Sequence, residues 1–166
     1  MKPNSIPIFV YGTLSSPQVV QTLLGRTVPS EFPVARLDNH SRHPVKNYVF
    51  PGTIPNPKKR IHGCLLENLS ETDMKILDWF EGDEYDRRMV QVCINRSTLA
   101  DNNGKDKASS FFIDAYTYIW RPRLLQQLIL DEEWNFENFC SKHLEWYLIN
   151  TVRPCRKEIE ELKIVE

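Results

Sequence analysis

The sequence predicts a single α+β domain, and three observations carry that prediction. Apolar runs rich in β-formers recur along the chain, first at Ile8-Phe9-Val10 and again where Val90, Val92 and Ile94 alternate with polar neighbours. Between these runs lie two segments with helical spacing and explicit start and stop signals, one behind Ser16-Pro17 and one behind Ser70. Neither an internal repeat nor a linker divides the 166 residues, and 19.5 kDa is enough chain for one well-buried core.

In order along the chain, Phe9-Val10-Tyr11-Gly12-Thr13-Leu14-Ser15 reads as a buried strand whose carboxyl end breaks open at a glycine. Gly12 permits a positive φ and a close approach of a ligand to the main chain. Successive N–H groups leaving such a turn can converge on an anion or a carbonyl oxygen. The same residues also suit a plain tight turn. Ser16-Pro17 then caps and starts a helix over about 17–24, with Gly25 as its stop and Val19, Val20, Leu23 and Leu24 as its apolar side. A β-rich middle follows, comprising 34–37, 48–50 and 61–66. Pro51-Gly52 interrupts it, and Pro55-Asn56-Pro57 marks a hairpin-like connection.

Ser70 is a good N-cap, and Asp73 three residues later fills a role like that in a capping box. Ile76, Leu77 and Phe80 define a core-facing stripe, and Gly82 ends the helix. Glu81 falls four residues after Leu77, so it projects near the buried side. A carboxylate there meets the negative end of the helix dipole, loses solvent, and has Asp83 and Glu84 beside it. All three effects raise its pKa toward the range where a proton can be both taken and given near neutral pH. An exposed turn with three clustered carboxylates fits the same spacing. In the strand that follows, Tyr85 and Arg87 lie opposite the Val90, Val92 and Ile94 face, placed either to orient a polar substrate or to form a structural ion pair.

Residues 101–107 read as a polar hairpin loop, and 111–120 as a strongly apolar strand. Pro122 opens a short apolar helix through Leu130, and Asp131-Glu132-Glu133 marks another start. From there Phe136, Phe139, Cys140, His143, Leu144, Trp146 and Tyr147 follow a 3.6-residue period, the stripe of a helix packed across a sheet. The residues after Pro154 are charged and suit a terminal helix.

Composition excludes several functions. A formal net charge of −1 provides no field for nucleic acid or an anionic membrane. No run approaches the ~18 apolar residues that span a bilayer, and no secretory leader is evident, so a cytoplasmic protein is expected. Cys64, Cys93, Cys140 and Cys155 are widely spaced without a CxxC pair, which indicates reduced thiols and neither a disulfide frame nor a zinc site. His40, His43, His62 and His143 read as surface residues without a metal constellation. Cys140 and His143 have the i, i+3 spacing of a nucleophile and base, but no orienting acid accompanies them.

Two separated motifs carry a family resemblance. Phe9-Val10-Tyr11-Gly12-Thr13-Leu14 and Leu77-Asp78-Trp79-Phe80-Glu81-Gly82, the latter continuing into Tyr85-Asp86-Arg87 and Val90-Gln91-Val92, resemble the γ-glutamylcyclotransferase-like superfamily. The likeness is to its avirulence-induced plant branch and to the γ-glutamylamine cyclotransferases. Tyr48-Val49-Phe50-Pro51-Gly52 and Asp114-Ala115-Tyr116-Thr117-Tyr118-Ile119-Trp120 resemble the same family at the corresponding places. The resemblance implies a small mixed β-barrel flanked by helices, a domain over 1–150 with 151–166 as a charged tail, and a ligand pocket at the barrel mouth. It places Val10, Tyr11, Gly12, Thr13, Leu14 and Ser15 around a small-molecule γ-glutamyl substrate. Glu81 matches the family's general acid/base, and no cofactor is implied. The implied reaction is cyclisation to 5-oxoproline with release of an amine or amino acid. A binding module using the same pocket without turnover is the alternative, because a shared fold does not secure a shared reaction.

Overall fold

The computed structural model describes residues 5–97 and 108–164; the expected loop at 101–107 lies outside them. Five strands, β1 (Ile8–Val10), β2 (Val34–Pro44), β3 (Pro51–Leu66), β4 (Tyr85–Ser97) and β5 (Ala108–Trp120), close into a barrel in the order β1-β3-β2-β4-β5. All pairings are antiparallel except the contact that closes the ring, where Ile8 of β1 runs parallel to Tyr116 of β5. The barrel is therefore mixed.

Side-chain alternation divides the core in two. Phe9, Ala35, Leu37, Ile61, Leu65, Val92, Ile94 and Ala115, drawn from every strand, form one buried cluster, the barrel interior. Ile8 and Val10, on the other face of β1, join the buried side of the helices in a second cluster. Helix α1 (Pro17–Leu24) has the expected cap, Ser16 Oγ accepting from Val19 N, and ends at Gly25 in the left-handed conformation. Its Val19 and Leu23 are completely buried. Gly63 lets β3 close on β1, because a Cβ there would lie 2.2 Å from the Val10 carbonyl oxygen.

Several expectations in the middle of the chain need correction. Residues 48–50 form the turn between β2 and β3, with Tyr48 N donating to Val45 O (3.2 Å) and Val45 N to Phe50 O (3.4 Å). Pro51-Gly52 begins β3 and does not interrupt it. Pro55-Asn56-Pro57 lies within β3 at a large bulge, where the pairing jumps from Asp38↔Arg60 to His40↔Pro55. Lys58 takes a positive φ of 67° there, and the bulge absorbs prolines that a regular ladder would reject. His43 is buried in β2, its ring nitrogens bonded to Ser41 Oγ (2.7 Å) and Glu132 O (2.8 Å), so it is not a surface histidine.

After β5 the expected helix is shorter and tighter, a 3₁₀ segment over Pro122–Gln127. It ends because Lys46 N takes the Gln127 carbonyl (2.8 Å) and Leu128 bridges to Val45, which pulls the chain into an extended path. The next helix, α3 (Phe136–Lys142), is capped by Asn135 and not by the acidic residues before it. The stripe expected to be one helix breaks at His143 (φ −129°) into α3 and α4 (Leu144–Tyr147). A π-helical turn over Leu148–Val152 leads into α5 (Arg153–Glu161). Residues 151–161 pack on the barrel's helical side. Val152 and Ile159 are fully buried, and Arg156 donates to Leu23 O at the end of α1 (3.2 Å).

Candidate active site

Helix α2 (Glu71–Glu81) is built by a reciprocal capping box. Ser70 Oγ accepts from Asp73 N (3.0 Å), and Asp73 Oδ2 accepts from Ser70 N (2.9 Å). Arg26 holds the same carboxylate at 2.7 Å. The start of the helix is thus fixed, and with it the direction of each residue on the next three turns. Leu77 is completely buried, and Glu81, one turn later, leaves the helix on that side. The helix stops at Gly82, whose φ of 70° would strain any side chain.

Glu81 lines a cavity of about 250 Å³ at the mouth of the barrel. Val10, Tyr11, Gly12, Thr13 and Leu14 form one wall. Opposite them are Phe80 and Glu81 from the end of α2, with Glu84 from the turn after it. Tyr85 and Tyr118 close the barrel side, and Tyr48, Phe50 and Pro51 contribute from the β2–β3 turn and the start of β3. The last wall comes from the C-terminal helices through Tyr147, Thr151 and Cys155. No arginine, lysine or histidine is among the described residues lining the cavity.

That composition sets the electrostatics. Removal from water pushes the Glu81 carboxyl up to about 8, and the like charges of Glu84 and Asp78 add to the shift. Asp83, expected to contribute, is exposed, and Asp78 one helical turn earlier takes its place. The surrounding phenols are held neutral, as burial and then the Glu81 charge raise the pKa of Tyr11, Tyr85 and Tyr118. Each has an acceptor. Tyr11 donates to Tyr118 O, Tyr85 donates to Pro51 O (2.6 Å), and Tyr118 donates to Asp78 Oδ1 (2.9 Å). Burial thus brings the Glu81 carboxyl out of the usual carboxylate range and toward neutral pH.

The opening loop turns through a short 3₁₀ segment, Thr13–Ser15, whose bonding begins with Ser15 N donating to Gly12 O (3.0 Å). The amides of Gly12, Thr13 and Leu14 precede that first bond and fall outside the helical pattern. Gly12 does not use the positive φ expected of it; its φ is −113°. Its missing Cβ serves a close approach instead, because Pro51 would lie 3.0 Å from such an atom.

The structure thus gathers Glu81 and residues 10–14 around one cavity, although about seventy residues separate them in the chain. Ser15 is not part of the lining; its hydroxyl lies beside the Cys64 thiol. Arg87 is also outside, in an ion pair with Asp78 (2.8 Å) and over the Tyr116 ring. It steadies the acceptor of Tyr118. Cys140 and His143 do not line the cavity either, and burial pushes the Cys140 thiol up, away from the nucleophilic thiolate. Sequence reasoning missed the wall formed by Tyr147, Thr151 and Cys155. Their steps of four were a usable signal, since such spacing puts three side chains on one helical face. Among the described residues no helix is long and apolar enough to cross a membrane.

Comparison with known proteins agrees with this architecture. Residues 8–136 match the family model described as gamma-glutamyl cyclotransferase, AIG2-like. AIG2-like protein C of Arabidopsis thaliana is 31% identical over 159 residues, covering 96% of this chain and 81% of the relative. AIG2-like protein D of the same plant is 30% identical over 141 residues, covering 85% and 83%. A solution structure of an Arabidopsis thaliana protein superimposes with a TM-score of 0.58 at 25% identity, over 98% of this chain and 86% of the other.

Proposed function

Since the chain belongs to the gamma-glutamyl cyclotransferase, AIG2-like family, we propose that it cyclises a γ-glutamyl amide or peptide to 5-oxoproline and releases the amine, with Glu81 as general acid/base. The single observation that carries this reading is the placement of the Glu81 carboxyl, pushed up to about 8 by burial, in one cavity with residues 12–14 and with no cationic side chain among the described lining residues.

The nucleophile is internal to the substrate, so the protein's task is to fold the substrate into a ring-closing geometry, where effective concentration is large. The α-amine nitrogen bonds to the γ-carbonyl carbon while Glu81 takes a proton from that nitrogen. The carbonyl oxygen becomes an oxyanion in front of the loop amides, and each well-placed donor is worth ~3 kcal/mol. Glu81 then gives its proton to the departing nitrogen. The carbon–nitrogen bond breaks, which leaves a five-membered lactam and a neutral amine. An incoming α-ammonium supplies a countercharge that favours the ionised form of Glu81, and it releases one proton to solvent before the neutral amine attacks. The aromatic walls exclude water and so favour ring closure over hydrolysis.

The test is to incubate the protein with a panel of γ-glutamyl dipeptides and γ-glutamyl amines and to measure 5-oxoproline. Wild type releases it from at least one member, and Glu81→Gln does not. Equal release by the two proteins removes Glu81 from the mechanism. Tight binding of 5-oxoproline with no turnover of any member identifies a binding module instead.

A further inference from the structure

The described residues lining the cavity include no cation, yet one arginine touches its wall from behind. Arg42 lies in β2, and its side chain is 12% exposed. Its Nη1 donates to the Tyr11 carbonyl oxygen at 2.6 Å and reaches the His62 carbonyl at 3.4 Å. The guanidinium sits 5.4 Å from the centroid of the Trp134 ring. Its carboxylate partner is distant and wet: Glu133 is at 4.0 Å with a side chain 75% exposed. Arg42 Nε is buried without a hydrogen-bond partner among the described residues. A guanidinium held this way is a poor stabilising device, because burying a charge is costly unless it is closely paired. Its shortest contact is with the opening loop.

A trans peptide points its C=O and its N–H in opposite directions. The Tyr11 carbonyl is bonded to Arg42, which is not among the cavity-lining residues, while Tyr11 and Gly12 both line the cavity. The Gly12 N–H on the same peptide plane therefore points away from Arg42, and Gly12 itself lines the cavity. Bonding the carbonyl to a cation also polarises the peptide and makes that N–H a stronger donor.

We propose that Arg42 is a positioning residue, which locks the Tyr11–Gly12 peptide so that the Gly12 N–H faces the oxyanion formed during ring closure. The inference rests on the cyclotransferase reading for its consequence in catalysis, but the locking of the peptide stands on the hydrogen bond alone. Arg42 makes no contact with the substrate. It acts through one backbone amide.

Two variants and one titration test it. Arg42→Met keeps an unbranched apolar side chain and removes every donor, while Arg42→Lys keeps a charge and a donor. With a γ-glutamyl amide that wild type turns over, Arg42→Met lowers kcat by roughly 10- to 100-fold and leaves KM within about threefold, since an oxyanion donor acts mainly in the transition state. Arg42→Lys recovers part of that loss. In the free proteins the Gly12 amide cross-peak moves in Arg42→Met and returns toward the wild-type position in Arg42→Lys. In wild type, 5-oxoproline shifts the Gly12 amide. A folded Arg42→Met with kcat within twofold of wild type overturns the proposal, as does an unmoved Gly12 cross-peak. Should Arg42→Met fail to fold, the wild-type titration decides, and a Gly12 amide indifferent to saturating 5-oxoproline rejects it. If wild type yields no 5-oxoproline from any substrate, the enzymatic reading fails, and the free-protein Gly12 cross-peaks still settle whether Arg42 locks the peptide.

Discussion

Tyr147 and Thr13 meet hydroxyl to hydroxyl at 3.3 Å, although 134 residues separate them in the chain. One stands at the end of α4 and the other in the opening loop, so this contact ties the last wall of the cavity to the first. Tyr147 also packs edge-on against Phe139 and Phe80. Its ring carries more of the contact than its hydroxyl does. Tyr147→Phe is expected to lower stability by less than ~1.5 kcal/mol, the net worth of a neutral hydrogen bond. Tyr147→Ala removes a buried ring and is expected to cost about 3–5 kcal/mol. Urea unfolding of the three proteins distinguishes these two contributions.

The pH dependence of activity follows from Glu81. The base form is required and the carboxyl is pushed up to about 8, so kcat/KM is expected to climb with pH, about tenfold per unit, and to level off above that value. Glu81→Gln is expected to lose roughly 10²–10⁴-fold in rate, together with that rise. A profile already flat from pH 6 would remove Glu81 as the titrating group.

The same carboxyl affects stability with a definite sign. Its folded pKa of about 8 stands above the ordinary 4.5. Between those values the folded chain keeps a proton that the unfolded chain has released. Stability therefore falls as pH rises through that window. Glu81→Gln has no such proton to lose, so its advantage over wild type is expected to be small at pH 5 and about 1–3 kcal/mol at pH 9. Thermal melts at the two pH values check this. A gap that shrinks toward high pH contradicts the burial of the carboxyl.

Asp73 shows the opposite behaviour. Burial alone would raise its pKa, but Arg26 and Ser70 outweigh burial and hold the carboxyl below its usual range. Its contribution is present above the ordinary carboxylate pKa and is lost on acidification through the lowered one. Asp73→Asn is expected to cost about 1–2 kcal/mol at pH 7 by weakening the capping box, with the difference narrowing at acid pH. Denaturant midpoints at neutral and acid pH provide the comparison.

Ending the chain at Asn150 removes Thr151 and Cys155 from the cavity and the fully buried Val152 and Ile159 from the core. The truncated chain is expected to lose several kcal/mol, since each buried aliphatic side chain is worth about 1.5–3 kcal/mol. Increased dye binding to exposed apolar surface and a lower melting temperature report the loss. An unchanged melt would show that residues 151–166 are dispensable to the domain.

What the sequence determined by itself was local. Caps at Ser16 and Ser70, stops at Gly25 and Gly82, and the alternation of Val90, Val92 and Ile94 depend on neighbours within a few positions, and such signals survive in one dimension. Glu81 was legible only in part, because helical periodicity after Leu77 allows both a place near the buried side and an exposed turn, and the cavity that it lines is formed by tertiary contacts. Tertiary structure decided everything that depends on which surfaces meet. The prolines at 55–57 looked like a turn because local chemistry cannot show a partner strand able to absorb a bulge. The long aromatic stripe broke at His143, and the charged C-terminal residues became a cavity wall, because packing on the barrel outweighed local preference. Arg42 is the clearest case. Nothing near it in the chain points to Tyr11, and only closure of the barrel brings its guanidinium against that carbonyl.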